Sequence, residues 1–242
     1  MSLKLRLLNA KRKIFPYLFS SADMIAYLRG NGITVGEHCR FYNPSSMYID
    51  INRPCLISIG DRVKVAAGVT ILAHDYSRSV LRCVYGEVIG EAKRTIIGNN
   101  VLLGIHATLL MGAQIGDNCI VGAGAVVSGK VPPNSIVAGN PAKVIMTIDE
   151  FYQKRKARYV DEAKEYIRAF YERNGRKPAP GEMKSFWPIF APRDRDYLKN
   201  NRIPTAQGAD VEEEIIAEFM KTQPLYDGLD ALIEEALNET EK

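Results

Sequence analysis

A period of six residues through the middle of the chain restricts its fold more than any other feature. Every sixth residue from Ile97 onward is aliphatic: Leu103, Leu109, Ile115, Val121 and Val127 follow it. Glycine comes next in four of these hexads (Gly98, Gly104, Gly116, Gly122). The fifth place is small or medium-sized and apolar throughout, at Val101, Ala107, Ala113, Cys119, Ala125 and Val131. The frame also appears upstream at Val35, Phe41 and Met47 and at Ile59, Val65 and Ile71, with Gly36 and Gly60 in second place. A period of six matches neither a helix, at about 3.6, nor a single alternating strand, at about 2. It predicts a parallel β-helix, mainly β, in which each hexad forms one flat side and a turn. The first residue fills the axis, the fifth faces inward at a crowded corner, and the second-place glycine is expected to supply a left-handed backbone turn. Three sides make a coil of roughly 18 residues, so the segment holds roughly five coils stacked about 4.8 Å apart. Ile71 and Ile97 are 26 residues apart, which is not a multiple of six, so a loop is inserted over 74–95.

The repeat divides the chain into an N-terminal helical arm (1–30), the β-helix (31–147) and a C-terminal helical extension (148–242). Charge follows the same division. The arm carries +5 and residues 31–150 only +1, whereas 151–207 carry +7 and 208–242 carry −9. The total of +4 is too small to imply a nucleic-acid partner. No stretch has the ~20 apolar residues of a transmembrane helix. The opening segment lacks the apolar core and cleavage site of a signal peptide. Four scattered cysteines, with no CxxC pair, fit a reducing cytoplasm rather than a disulfide or zinc framework.

The segment from Thr95 to Ile145, closing on "IVAGNPAKVI", resembles the hexapeptide-repeat acyltransferases, in particular their maltose, galactoside and polysaccharide O-acetyltransferase branch. The likeness covers residues 36–146, roughly half the chain. It implies a left-handed β-helix, a homotrimer with sites between subunits, acetyl-CoA as co-substrate and no required metal. The implied reaction is acetylation of a sugar hydroxyl in polysaccharide or lipopolysaccharide modification. N-acetylation of an amino sugar or xenobiotic is an alternative, and a non-catalytic structural β-helix is another.

Of three histidines, His74 stands where the coil breaks into the inserted loop, the place of the general base in the family. An imidazole, with an ordinary pKa of about 6.5, is largely neutral and basic at cytoplasmic pH and can take a hydroxyl proton. Asp75 beside it would orient substrate or cap a turn. The resemblance also implies a pantetheine path along Gly104, Ile105, Gly122 and Ala123. Ser128 and Gly129 are further cofactor-binding candidates, and Lys130 and Lys143 would meet the phosphates, although the family more often has lysine where Gly129 stands. Leu102 replaces a family tryptophan. Asn43, Ser46, Tyr76 and Tyr85 are candidates for the acceptor site. Some β-helix proteins resemble γ-class carbonic anhydrases, with zinc on three histidines, but here no HxxxxH occurs.

The flanks read as caps. Residues 3–28 form one or two amphipathic helices separated by Pro16. They cover the first coil or make a weak peripheral contact with anionic lipid. A long helix follows Ile148, with Asp149 as N-cap and Gly175 as its stop. The only tryptophan, Trp187, is expected to dock on a neighbouring subunit or line an acceptor groove, and two acidic helices end the chain.

Overall fold

A computed structural model describes residues 3–206 and 210–238. The hexads form a left-handed β-helix with three parallel sheets. The first sheet stacks Thr34–Val35, Ile57–Ile59, Thr95–Ile97, Gln114–Ile115 and Lys130–Val131. The second stacks Arg40–Phe41, Lys64–Val65, Leu102–Leu103, Ile120–Val121 and Ser135–Ala138. The third stacks Tyr48–Ile49, Thr70–Ile71, Thr108–Leu109 and Val126–Val127. An antiparallel strand, Lys143–Thr147, closes the second sheet. Inward aliphatics such as Val65, Ile71, Leu103, Leu109 and Val121 are fully buried and fill the axis.

Three details of the frame differ from the sequence reading. In the first coil the third-sheet strand position is Ile49, which pairs with Ile71, while Met47 sits at a corner. A short 3₁₀ turn, Pro44–Ser46, adds two residues before it and shifts the frame. A tight turn at Ser128–Gly129 removes two residues, so Val131 takes the strand place opposite Ile115. The second-place glycines are not left-handed. Positive φ falls in fourth place, at Arg62, Asn100, His106 and Asn118. The second place needs glycine because the next coil is too close: a Cβ on Gly60 would lie 2.6 Å from the Gly98 carbonyl oxygen. Fourth-place asparagines use their left-handed geometry to form a side-chain ladder. The Asn100 amide donates to Asn118, and the Asn118 amide to Asn134, each at 2.9 Å.

Met1–Glu150 forms one compact unit and Phe151–Lys242 another. In the first, helices α1 (Leu3–Ile14) and α2 (Ser21–Gly30) flank a short turn at Pro16–Leu18. Ser20 and Asp23 make a capping box at the start of α2. Met24, Tyr27 and Leu28 of α2, with Leu5 of α1, join the apolar core of the β-helix. The inserted loop carries its own helix, α3 (Arg78–Tyr85), stopped by Gly86 in the left-handed region.

Helix α4 (Ile148–Asn174) leads into the second unit. Its N-cap is Thr147 rather than Asp149: the Glu150 amide donates to Thr147 Oγ1, and the Thr147 amide to the Glu150 carboxylate. Gly175, at φ 64°, ends it. The second unit adds α5 (Arg195–Asn200), α6 (Glu212–Phe219) and α7 (Gly228–Asn238). Its core joins Ala163 and Ile167 to Met183, Trp187, Phe219, Leu232 and Ile233. Trp187 is buried edge-on against Phe219, with ring centroids 4.5 Å apart. It is a core residue and is not available to line a groove. Among the described residues, no helix is long and apolar enough to cross a membrane.

The second unit carries a pH prediction. The Tyr159 hydroxyl donates to the Ser185 carbonyl at 2.7 Å, and burial pushes its pKa from 10.0 up to about 12. A raised folded-state pKa means that the folded form holds its proton longer than the unfolded form. The contribution is therefore complete below pH 10 and lost as pH rises toward 12. Thermal unfolding followed by circular dichroism should show about 1–2 kcal/mol lost across this window, after discounting for the half-buried ring. In Tyr159→Phe this alkaline step should shrink, leaving the part due to Tyr197, whose pKa burial also raises.

Candidate active site

The three corners of the β-helix separate the chemistry. His38 lies between the first and second sheets in coil one, and His106 between the second and third in coil three. His74 lies between the third and first sheets, at the end of coil two. The three imidazoles therefore do not converge. Among the described residues, no three His, Cys, Asp or Glu side chains are gathered as a metal site.

At the His74 corner the chain leaves the coil and returns. The Lys93 amide donates to the Ala73 carbonyl at 3.1 Å, and His74 bridges Ala92 in antiparallel fashion. Thr95, fully buried, donates its hydroxyl to the Leu72 carbonyl at 2.6 Å and pins the re-entry. One coil below, Ile49 points inward and Asp50 begins the turn. Asp50 is 0% exposed, and its carboxylate accepts from the Asn52 amide at 2.9 Å and the Ala73 amide at 3.3 Å. The same carboxylate meets Nδ1 of His74 in a short, direct contact. A buried carboxylate is stable there only when its oxygens are satisfied, and the backbone amides and the imidazole do so. With Nδ1–H donated to Asp50, the lone pair of a neutral His74 lies on Nε2. The His74 side chain is 19% exposed, so the group is held firmly yet reachable.

Asp50 is absent from the sequence-based set. Four extra residues between Ile49 and Ile59, around the 3₁₀ turn Pro54–Leu56, hid it, because they put Asp50 out of the 18-residue register with coil two while Ile49 still pairs with Ile71. Asp75 is a turn cap: its Oδ1 accepts from the Ser77 amide at 3.1 Å and the Ser77 hydroxyl at 2.7 Å. Tyr76 precedes α3 and Tyr85 is its last residue; both are exposed, and Arg78 lies 5.2 Å over the Tyr76 ring.

The remaining candidates fall at two different corners of one chain. Ser128, Gly129 and Lys130 share the His74 corner, two coils further up. Gly104, Ile105, Gly122 and Ala123 stand at the neighbouring corner, between the second and third sheets. Lys143 pairs with Ala138 beside that second corner, so Lys130 and Lys143 are on different sheets. Asn43 and Ser46 are also at the second corner, in coil one. There the Ser46 hydroxyl donates to the Asn43 carbonyl at 2.8 Å and accepts from the Gly68 amide at 2.9 Å. Both serve the turn. Gly104 has a packing reason of its own, since a Cβ there would lie 2.6 Å from the Ala123 amide nitrogen.

Comparison with known proteins is consistent with this architecture. A family model described as bacterial transferase hexapeptide (six repeats) matches residues 94–129, and one for the hexapeptide repeat of succinyl-transferase matches 57–73. The chain is 37% identical over 127 residues to Protein CapG of Staphylococcus aureus, covering 52% of this chain and 73% of that protein. It is 33% identical over 123 residues to galactoside O-acetyltransferase of Escherichia coli (strain K12). That match covers 50% of this chain and 57% of the relative, a little over half its length. Among solved structures, galactoside acetyltransferase in complex with coenzyme A is 25% identical, with a TM-score of 0.41. That comparison covers 61% of this chain and 84% of the other.

Proposed function

From the premise that the chain belongs to the hexapeptide-repeat acetyltransferase family, we propose that it transfers acetyl from acetyl-CoA to a sugar hydroxyl, in polysaccharide or lipopolysaccharide modification, with His74 as general base. The observation that carries the assignment is the His74–Asp50 pair at the corner where the inserted loop departs. Asp50 holds the ring and its tautomer. Nε2 takes the proton of the acceptor hydroxyl as that oxygen bonds to the acetyl carbon. The acetyl–sulfur bond then breaks, and the proton on His74 passes to the departing thiolate. Among its relatives, the one named galactoside O-acetyltransferase supports a saccharide acceptor.

The division of candidates between two corners supports a homotrimer. One chain presents His74 and Lys130 at one corner and Gly104, Gly122 and Lys143 at the next. Side by side in a three-fold ring, the first corner of one copy faces the second corner of its neighbour, completing the site. The small residues at the second corner would let a pantetheine arm lie close to backbone amides, and the lysines would meet phosphate.

The test is thiol release from acetyl-CoA in the presence of a panel of sugars, amino sugars and oligosaccharides. Acceptor-dependent release is expected, with a product whose acetyl group is lost in mild base, as an ester is and an amide is not. No acceptor-dependent release with any member of the panel, together with no CoA binding by calorimetry, overturns the reading.

A further inference from the structure

Helix α1 has two apolar faces, and the fold uses one. Leu5 is buried and Leu8 packs against the β-helix core. Leu3, Leu7, Ala10 and Ile14, spaced three or four residues apart, form a second stripe on the opposite side. Leu3 is 74% exposed and Leu7 and Ile14 63% each. The chain continues past Ile14 with further exposed apolar groups, Phe15, Tyr17 and Leu18. An exposed apolar run of this length marks an interaction surface.

Charge indicates the partner. At about 100° per residue, Lys4 and Lys11 flank the stripe on one side and Arg6 and Lys13 on the other. Lys11 also pairs with Asp23 at 2.7 Å. The helix LKLRLLNAKRKI contains no acidic residue. An isologous contact with a second copy would set these cations against one another, a like-charge arrangement. An anionic bilayer surface satisfies both features: the stripe enters the headgroup–acyl boundary while the flanking lysines and arginines extend to lipid phosphates.

We infer that residues 3–18 are a peripheral membrane anchor that docks the enzyme on anionic lipid. The inference rests on the exposed face and charge of this helix, so it does not depend on the acetyl-transfer reading. The test is co-sedimentation of the full chain with vesicles of phosphatidylcholine alone and of phosphatidylcholine with about one-third phosphatidylglycerol. Partitioning onto the anionic vesicles should exceed that onto neutral ones by roughly tenfold or more and fall steeply with salt. The double variant Leu7→Glu/Ile14→Glu should lose it by at least about tenfold. Its thermal unfolding and mass by light scattering should be unchanged, because both side chains point away from the core. Equal partitioning onto the two vesicle types, no partitioning, or partitioning indifferent to the substitutions overturns the proposal. A fall in oligomeric mass in the variant also overturns it and assigns the stripe to contact with another copy.

Discussion

His74→Ala should lower kcat for acetyl transfer about a hundredfold or more, the scale of general-base catalysis. The Michaelis constant for acetyl-CoA should change little. The imidazole is the group at its corner with a basic lone pair free of backbone duty, since its other nitrogen is held by Asp50. Asp50→Asn should act through the ring rather than on substrate. An amide can donate to Nδ1 and so favour the tautomer with hydrogen on Nε2, which cannot accept a proton. The expected loss in kcat is roughly ten- to a hundredfold. The substitution keeps an oxygen for the Asn52 amide but turns an NH2 toward the buried Ala73 amide, so stability should fall by about 1–3 kcal/mol while the protein stays folded at assay temperature. Wild-type turnover in His74→Ala sinks the assignment. A fall in Asp50→Asn matched by loss of folded protein reduces Asp50 to a structural role.

Gly60→Ala should be among the most destabilising single-methyl additions in the β-helix. The added carbon would lie 2.6 Å from the Gly98 carbonyl oxygen and 2.7 Å from its carbonyl carbon. Both are backbone atoms of the next coil. The coils cannot move apart there without stretching the Gly60 amide bond to the Ile97 carbonyl, 2.9 Å long. Overpacking with no flexible neighbour to yield should cost about 3 kcal/mol, or a fall of roughly 6–12 °C in thermal midpoint. Gly90→Ala is the control. A Cβ there meets nothing within 4 Å, so that variant should unfold within about 0.5 kcal/mol of wild type. Equal stability of the two variants would show that the coils tolerate wider spacing. Because Gly60 is at the corner between the first and second sheets, away from His74, its effect is on folding alone.

The β-helix was legible because a solenoid makes its non-local contacts periodic. Strand pairs 18 residues apart, such as Leu102 with Ile120 and Thr108 with Val126, repeat one local rule. The apolar first place and the small fifth place therefore appear in the sequence as a plain count. The rule failed where the count changed, at Pro44–Ser46, at Pro54–Leu56 and at Ser128–Gly129. It also misread the cause of the second-place glycines, because crowding between coils leaves no mark in a single hexad. Asn100 and Asn118 show where the left-handed turn lies, and both tolerate it through local hydrogen bonding. The second unit was legible as helices but not as a core. Trp187 meets Phe219 across 32 positions of sequence with no repeat to announce it.

By itself the sequence determined the coil, its interruption and the histidine at the break, because each follows from the spacing of residue types along the chain. The tertiary structure alone decided that Asp50 stands beneath His74, since that contact depends on how coil one is offset against coil two. It also decided that the candidate site residues occupy two corners rather than one. Finally, it decided that one apolar face of α1 is buried and the other left to solvent. The hydrophobic pattern of a helix shows how many apolar faces it has. Only packing determines which of them the fold covers.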